Sequence, residues 1–385
     1  MPDIYLDNAA TTPPSASVLE AMREQLADGW GNPSSVHRRG VRAREALDRA
    51  RGQVARAVGA ESSQVVFTSG GTEANNLALF GVASASQEHR GHVLMGPAEH
   101  ASVRAAAEAL AARGFEVETG RLTSDGTLDL EDFAERLRAE TSLVIQMLVS
   151  NEFGVIFPVP SLARLVRARA PRAHLHVDAV QALGKLDLCW SELGADSLSI
   201  SGHKIHGPMG VGALVFAKDH APAPLLVGGG QERGLRSGTE GVPAIVGLGV
   251  AAKEAARDQP ETLQHLAELR ARLHAGLADI EGIRAIEAKT PKSQQPGIYS
   301  LLVPGAPAEV WLHHLDARGV AVGTGSACQA NKNEISPVLL AMGLTAREAR
   351  QVLRLSMSCR TSMAEIERTL TVFQNVSAEL AHLQS

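Results

Sequence analysis

Between about residues 60 and 220 the chain alternates short apolar runs with longer helical patterns, and this alternation limits the fold more than any other feature. The runs at 64–68, His92–Met95, 143–149, His174–Asp178, Ser197–Ser201 and 211–216 have the length and Val/Ile/Leu content of buried strands. Ala/Leu/Arg-rich stretches such as 102–113 and 161–170 separate several of them and read as helices. Strands that are apolar along their whole length, joined by helices, predict a mostly parallel sheet covered on both faces. Ligands in such sheets sit beyond the carboxyl ends of the strands, so the residues after each run are the first candidates for a site.

The pattern changes near residue 243. The stretch 244–280 reads as one or two helices, followed by strand-like runs at 298–303, 320–322 and 352–357 and helical patterns at 308–317 and 363–383. Two more helices are expected at 15–27 and 41–58. The expected organisation is a large α/β domain over 15–245 and a smaller α+β domain from 1–14 and 246–385.

Composition narrows the class. With 44% hydrophobic and 21% charged residues, the 385-residue chain has ordinary globular usage, which excludes disordered, collagenous and disulfide-scaffold proteins. Lys and Arg total 37 against 42 Asp and Glu, a net charge of -5, which argues against a dedicated nucleic-acid binder. The 3 Cys, at 189, 328 and 359, are far apart and form no CxxC, as in a reducing compartment. The first residues lack a signal-peptide pattern, and no run of about 18 apolar residues occurs, so a cytoplasmic location away from membranes is expected.

Five segments carry chemistry. Ser69-Gly70-Gly71-Thr72-Glu73 follows a strand and opens a helix, the arrangement that cradles an anion; it is also a plain turn with Thr72 as N-cap. His174, His176 and Asp178 share one strand face, open to a zinc reading or to simple packing, and Asp178 ends a buried run where a carboxylate needs a cation or donor. Ser201-Gly202-His203-Lys204 leads from a strand into a turn, and a desolvated lysine there is a Schiff-base candidate. The Gly/Arg-rich loop 228–239 suits anion contact, a subunit boundary or a mobile surface. Cys328 sits among Gly, Ser and Ala, an exposed setting, whereas Cys189 beside Leu188 and Trp190 reads as a packing thiol.

Taken in order, these segments resemble the pyridoxal-phosphate-dependent cysteine desulfurases of the class V aminotransferase group, which have fold-type I. The matching pieces also include Tyr5-Leu6-Asp7-Asn8-Ala9-Ala10-Thr11-Thr12-Pro13, Gly31-Asn32-Pro33, Glu99-His100, Asn151-Glu152-Phe153-Gly154 and Leu353-Arg354-Leu355-Ser356. The spacing after Cys328 is similar to that of the long-loop subgroup that supplies sulfur for iron–sulfur clusters and thiolated RNA. The resemblance implies a mostly parallel seven-stranded sheet in the large domain. It implies that Lys204 carries pyridoxal 5'-phosphate, Asp178 meets the ring nitrogen, and Gln181 and Asn151 meet the ring hydroxyl edge. His100 would stack on the ring, and Gly71, Thr72, Ser201 and His203 would hold the phosphate, with Thr239 arriving from the second subunit of a homodimer. Arg354 and Asn32 would bind the carboxylate of L-cysteine, and Cys328 would take the sulfur as a persulfide for an acceptor or iron–sulfur scaffold protein. No metal site and no direct nucleic-acid or membrane contact is implied.

The chain departs from the family pattern at 329–333 and at Ser358-Cys359-Arg360, which bears on the acceptor and on Cys359. Rival readings are a selenocysteine lyase, another class V aminotransferase, a non-catalytic sulfur carrier with the same fold, and a metal hydrolase built on His174 and His176.

Overall fold

The computed structural model describes residues 3–85, 91–123, 125–288, 290–324 and 336–382. Its strands are β1 (Ile4–Leu6), β2 (Val65–Thr68), β3 (His92–Met95), β4 (Glu116–Thr119), β5 (Thr141–Met147), β6 (His174–Asp178), β7 (Ser197–Ser201), β8 (Gly212–Phe216), β9 (Arg284–Ile286), β10 (Ile298–Leu302), β11 (Val320–Thr324) and β12 (Val352–Ser356). Seven of them form one sheet in the order β2-β8-β7-β6-β5-β3-β4. From β4 to β7 neighbours pair parallel, and β8 runs antiparallel to both β7 and β2. This is the mostly parallel seven-stranded sheet of a fold-type I α/β protein.

The physical reason lies in the strands. β2, β3, β6, β7 and β8 are buried at every residue, so both faces must be covered. Helices Gly71–Ala85 and Ala101–Ala111 help to cover one face, with Leu77, Leu79 and Leu110 in a core shared with Val93 and Ile145. A second core carries Val54, Leu162, Val166, Leu175, Val177 and Leu248. Each fully buried Leu or Val contributes about 1.5–3 kcal/mol, less the entropy of fixing it.

The remaining strands form a second sheet, β1-β11-β12-β10-β9. β1, from the start of the chain, lies parallel to β11. Helix Gln259–Ala278 packs Leu266, Leu269, Leu273 and Leu277 into this sheet's own core with Trp311 and Phe373. The 244–280 stretch is two helices, Val242–Arg257 and Gln259–Ala278, because Pro260 supplies a new first turn. The domain boundary expected at 245/246 falls inside the first of these. Ile245, Leu248, Ala251 and Ala252 all pack into the large-sheet core, whereas Leu266, Leu269 and Leu273 of the second helix pack into the other. Among the described residues no helix is long and apolar enough to cross a membrane.

Candidate active site

A cavity of about 270 Å³ opens beyond the carboxyl ends of β5, β6 and β7. Asp178 ends β6, Ser201 ends β7, and Lys204 closes the one-turn helix Gly202–Lys204 directly after β7. All of them line this cavity, together with Gly71, Thr72, His100, Asn151, Gln181, His203 and Arg354. Asn32 and Thr239 do not. Asn32 Oδ1 instead accepts from Ser34 N–H at 2.9 Å, in a local turn. Thr239 lines a different hollow with Ser69 and Val211. Cys328 lies outside the described residues.

The floor of the cavity is one hydrogen-bonded network. Asp178 is 4% exposed. Its Oδ2 accepts from Asn75 Nδ2 at 2.8 Å and its Oδ1 from Val180 N–H at 3.0 Å. Asn75 Nδ2 also donates to Ser102 Oγ, and Asn75 Oδ1 accepts from Ser199 Oγ and faces His176 Nε2 at 3.0 Å. Proton counting then fixes the histidines. Both Asn75 N–H bonds are committed, so His176 donates from Nε2. His176 Nδ1 must accept from Ser197 Oγ at 2.8 Å, and Ser197 Oγ must accept from His174 Nε2 at 2.7 Å. Burial pushes His174 down to about 4 and His176 down to about 3, so both rings are neutral. These histidines are packing members of a satisfied chain. Among the described residues no His/Cys/Asp/Glu group could hold a metal ion.

The same logic orients His100. It caps the helix Ala101–Ala111, and its Nδ1 accepts from Ser102 N–H at 3.1 Å. With Nδ1 accepting, the ring N–H lies on Nε2. Just before it, Glu99 is buried, with Oε1 accepting from Met147 N–H at 2.5 Å and Oε2 without a hydrogen-bond partner. Burial, reinforced by Asp178, holds its carboxyl well above the usual range.

At the anion loop the helix begins on Gly71, so Thr72 lies in its first turn and is not the N-cap. A side chain at 71 would meet Val180 Cγ2 at 2.7 Å, which is why glycine stands there. Glu73 ties the loop down: it accepts from Ser69 N–H and pairs with Arg236 at 2.8 Å. The Gly/Arg-rich loop is pinned a second time where Glu232 meets Arg51 in a buried bidentate pair at 2.7 Å and caps Phe67 N–H. His203 is pushed down to about 4, chiefly by burial and then by Lys204, so it offers a neutral ring.

The opposite wall comes from the second sheet. Arg354, on β12, is 2% exposed. It donates to Asp7 Oδ1 at 2.7 Å and to Asn151 O at 2.8 Å, while its Nε is buried without a partner. Gly323 makes room, since a Cβ there would lie 2.6 Å from Asp7 Oδ1. Next to Asn151, Glu152 Oε2 accepts from Ser336 Oγ at 2.6 Å, and burial raises its carboxyl to about 7. Sequence reasoning assigns no role to Asn75, Glu99, Glu152, Asp7 or Lys185. The available signal was a polar residue in an otherwise apolar setting, such as Asn75 between Ala74 and Leu77. Cys189 is partly buried, and Cys359 Sγ lies 3.7 Å from His206 Nε2.

Comparison with known proteins agrees with this geometry. The Aminotransferase class-V family model matches residues 4–369. Cysteine desulfurase IscS 1 of Archaeoglobus fulgidus is 38% identical over 376 residues, spanning 98% of this chain and 97% of the relative. Cysteine desulfurase IscS of Dictyoglomus turgidum is 37% identical, spanning 98% of this chain and 95% of the relative. A solved NifS-like protein superposes with a TM-score of 0.92 at 33% identity, covering 98% of this chain and 99% of that one. The structure of SspA in complex with cysteine superposes with a TM-score of 0.81 at 32% identity, covering 92% and 98%. A family match over nearly the whole chain and full-length relatives of one activity agree: the chain belongs to the class V aminotransferase family, in its cysteine desulfurase branch.

Proposed function

We propose that this cysteine desulfurase holds pyridoxal 5'-phosphate on Lys204, converts L-cysteine to L-alanine and receives the sulfur on Cys328 as a persulfide. One observation carries the reading: Lys204 and Asp178, from adjacent strand ends, face a single cavity that Arg354 closes from the other sheet.

The residues fit the cofactor. A buried carboxylate at a strand end is costly without a cationic partner, and a pyridinium nitrogen supplies one. The N-terminus of the helix Gly71–Ala85 offers backbone N–H groups, with Thr72, Ser201 and neutral His203 beside it, for a phosphate. Gln181 and Asn151, which also line the cavity, would meet the ring hydroxyl edge. When bound, the cofactor supplies an electron sink for the charge left on the substrate α-carbon.

The chain's own groups do the rest. Arg354 binds the substrate carboxylate, and its unpartnered Nε is a donor already desolvated for that task. Lys204 Nζ takes the α-proton. Asn75 holds Asp178 in place, and His100 presents Nε2–H to the cavity. The Cys328 thiolate attacks the substrate sulfur, so the carbon–sulfur bond breaks, a sulfur–sulfur bond forms and alanine leaves.

Thr239 reaches the phosphate from a second subunit in this reading. Exposed Trp30, Val36, Met209 and Val227 support an apolar contact between copies of the chain. Asn32 would join Arg354 at the substrate carboxylate in this reading, although it is not among the residues that line the cavity here. The persulfide passes to an acceptor or iron–sulfur scaffold protein. The purified protein should be yellow, borohydride should trap the cofactor on the Lys204 peptide, and L-cysteine should yield alanine with one extra sulfur on the Cys328 peptide. A colourless protein that takes up no cofactor overturns the reading. Release of alanine from selenocysteine but not from cysteine favours the selenocysteine lyase.

A further inference from the structure

A second lysine stands behind Lys204. Lys185 Nζ donates to Gln181 Oε1 at 2.8 Å, four residues back along the chain. Gln181 Nε2 donates to Ala9 O at 2.8 Å. Lys204 Nζ donates to the same Ala9 O at 2.6 Å and to Ala10 O at 2.7 Å. One backbone oxygen is thus shared by Lys204 directly and by Lys185 through an amide.

The relay has a single orientation. A backbone carbonyl only accepts, so Gln181 must face Ala9 with Nε2, and its Oε1 then turns to Lys185. Gln181 itself is buried and lines the cavity. Surface lysines keep the ammonium in water, and lysine is scarce in this Arg-rich chain. Here burial, then Lys204, then Arg354 push Lys185 down to about 7. The groups that act around it are Lys204 and His203 on the turn after β7, His206 just beyond it, and Arg354 on β12. Glu254, from the helix Val242–Arg257, acts on His206 from the far side.

We propose that Lys185 is a positioning residue for Lys204: it holds the Gln181 amide in one orientation and, through its charge, lowers the proton affinity of the Lys204 amine. A lysine that must take a proton from carbon near neutral pH needs such a neighbour, because an isolated amine stays protonated there. The inference rests on the reading of Lys204 as the cofactor-binding lysine.

The test is a pH titration of the cofactor absorbance in the holoenzyme, without substrate. Lys185→Met and Lys185→Gln remove the charge and should raise the apparent midpoint by roughly one unit. Lys185→Arg keeps the charge and should leave the midpoint at or below that of wild type. The glutamine variant keeps a polar side chain, so the result survives if the methionine variant fails to fold. A band that persists in Lys204→Ala overturns the cofactor reading, and this inference with it. A band lost in Lys204→Ala that titrates identically in wild type, Lys185→Met and Lys185→Gln overturns the inference alone.

Discussion

The two walls of the cavity are built differently. The floor comes from β6, β7 and the turn after β7, within residues 174–204, plus Asn75 and His100. Its histidines are neutral by burial, and its polar atoms answer one another in a continuous chain. The seam between the sheets draws on Asp7, Asn151, Glu152, Ser300, Ser336 and Arg354. There a charge is kept by pairing across 347 positions of sequence. The floor is fixed because Asn75 ties β6, β7 and Ser102 into one buried hydrogen-bonded chain. The seam depends on two sheets staying in contact, so it is where binding can trade one partner for another.

Removing the centre of the floor should have the largest effect. Asn75→Ala takes a donor from Asp178 and Ser102 and an acceptor from His176 and Ser199. Leaving buried groups unsatisfied costs about 1–3 kcal/mol each, so a loss of roughly 3–5 kcal/mol is expected by denaturant unfolding. Cofactor content should fall with it. A variant as stable as wild type would show that the network is not what holds Asp178.

On the seam, Arg354→Lys keeps the charge but loses the planar fork. KM for L-cysteine should rise about 10–100-fold while kcat changes less, the loss of one bidentate carboxylate contact. Stability should drop less than in Asn75→Ala. Equal damage to both parameters would make Arg354 structural and erase the contrast between the walls.

Glu152→Gln tests the seam by pH. The folded carboxyl titrates at about 7, above its ordinary value of 4.5. The folded state therefore binds a proton that the unfolded state has lost. Stability from this group is full below the ordinary value, declines as pH rises toward about 7, and is level above it. The difference across that window is on the order of 3 kcal/mol. Glutamine can still accept from Ser336, so the variant should show a flatter stability profile between acidic and mildly alkaline pH. Burial also raises the Glu99 carboxyl and adds a decline of the same sign, so the slope should lessen and not vanish. An unchanged profile would remove Glu152 as its source.

The same contrast explains what the sequence reveals. β3, β6 and β7 match their expected runs residue for residue, with Val, Leu and Ile packing in the cores while the buried His, Asp and Ser of β6 and β7 join the hydrogen-bonded floor. Asp178, Gln181 and Lys204 are legible as polar residues at the ends of such runs. β1 and β9, three residues each, and β4, an edge strand reading Glu-Val-Glu-Thr, carry too little apolar signal to stand out. Lys185 is hidden for another reason. Its partner is four residues away, but its importance comes from Ala9 and Lys204 on other segments. Glu99 and Glu152 show as carboxylates in the sequence, while their proton affinity depends on burial that only the fold creates.

The smallest effect, and the one that separates the roles most sharply, is expected from Asp7→Asn. Asp7 is partly exposed, and its carboxylate pairs with buried Arg354. Any substrate carboxylate bound by Arg354 competes with it. Asparagine still offers an oxygen to Nη2 but no charge. The free protein then holds a buried guanidinium with less compensation and should lose about 1 kcal/mol of stability, a small loss because the asparagine oxygen still accepts from it. Substrate binding should move the other way. With the internal rival gone, Arg354 gains more from the incoming carboxylate, and KM for L-cysteine should fall by a few-fold. Opposite signs for Asp7→Asn and Arg354→Lys in KM, with both variants less stable than wild type, would establish the pair as a latch that substrate opens. If Asp7→Asn raised KM as Arg354→Lys does, Asp7 would instead be holding the guanidinium in position, and the seam would be as fixed as the floor.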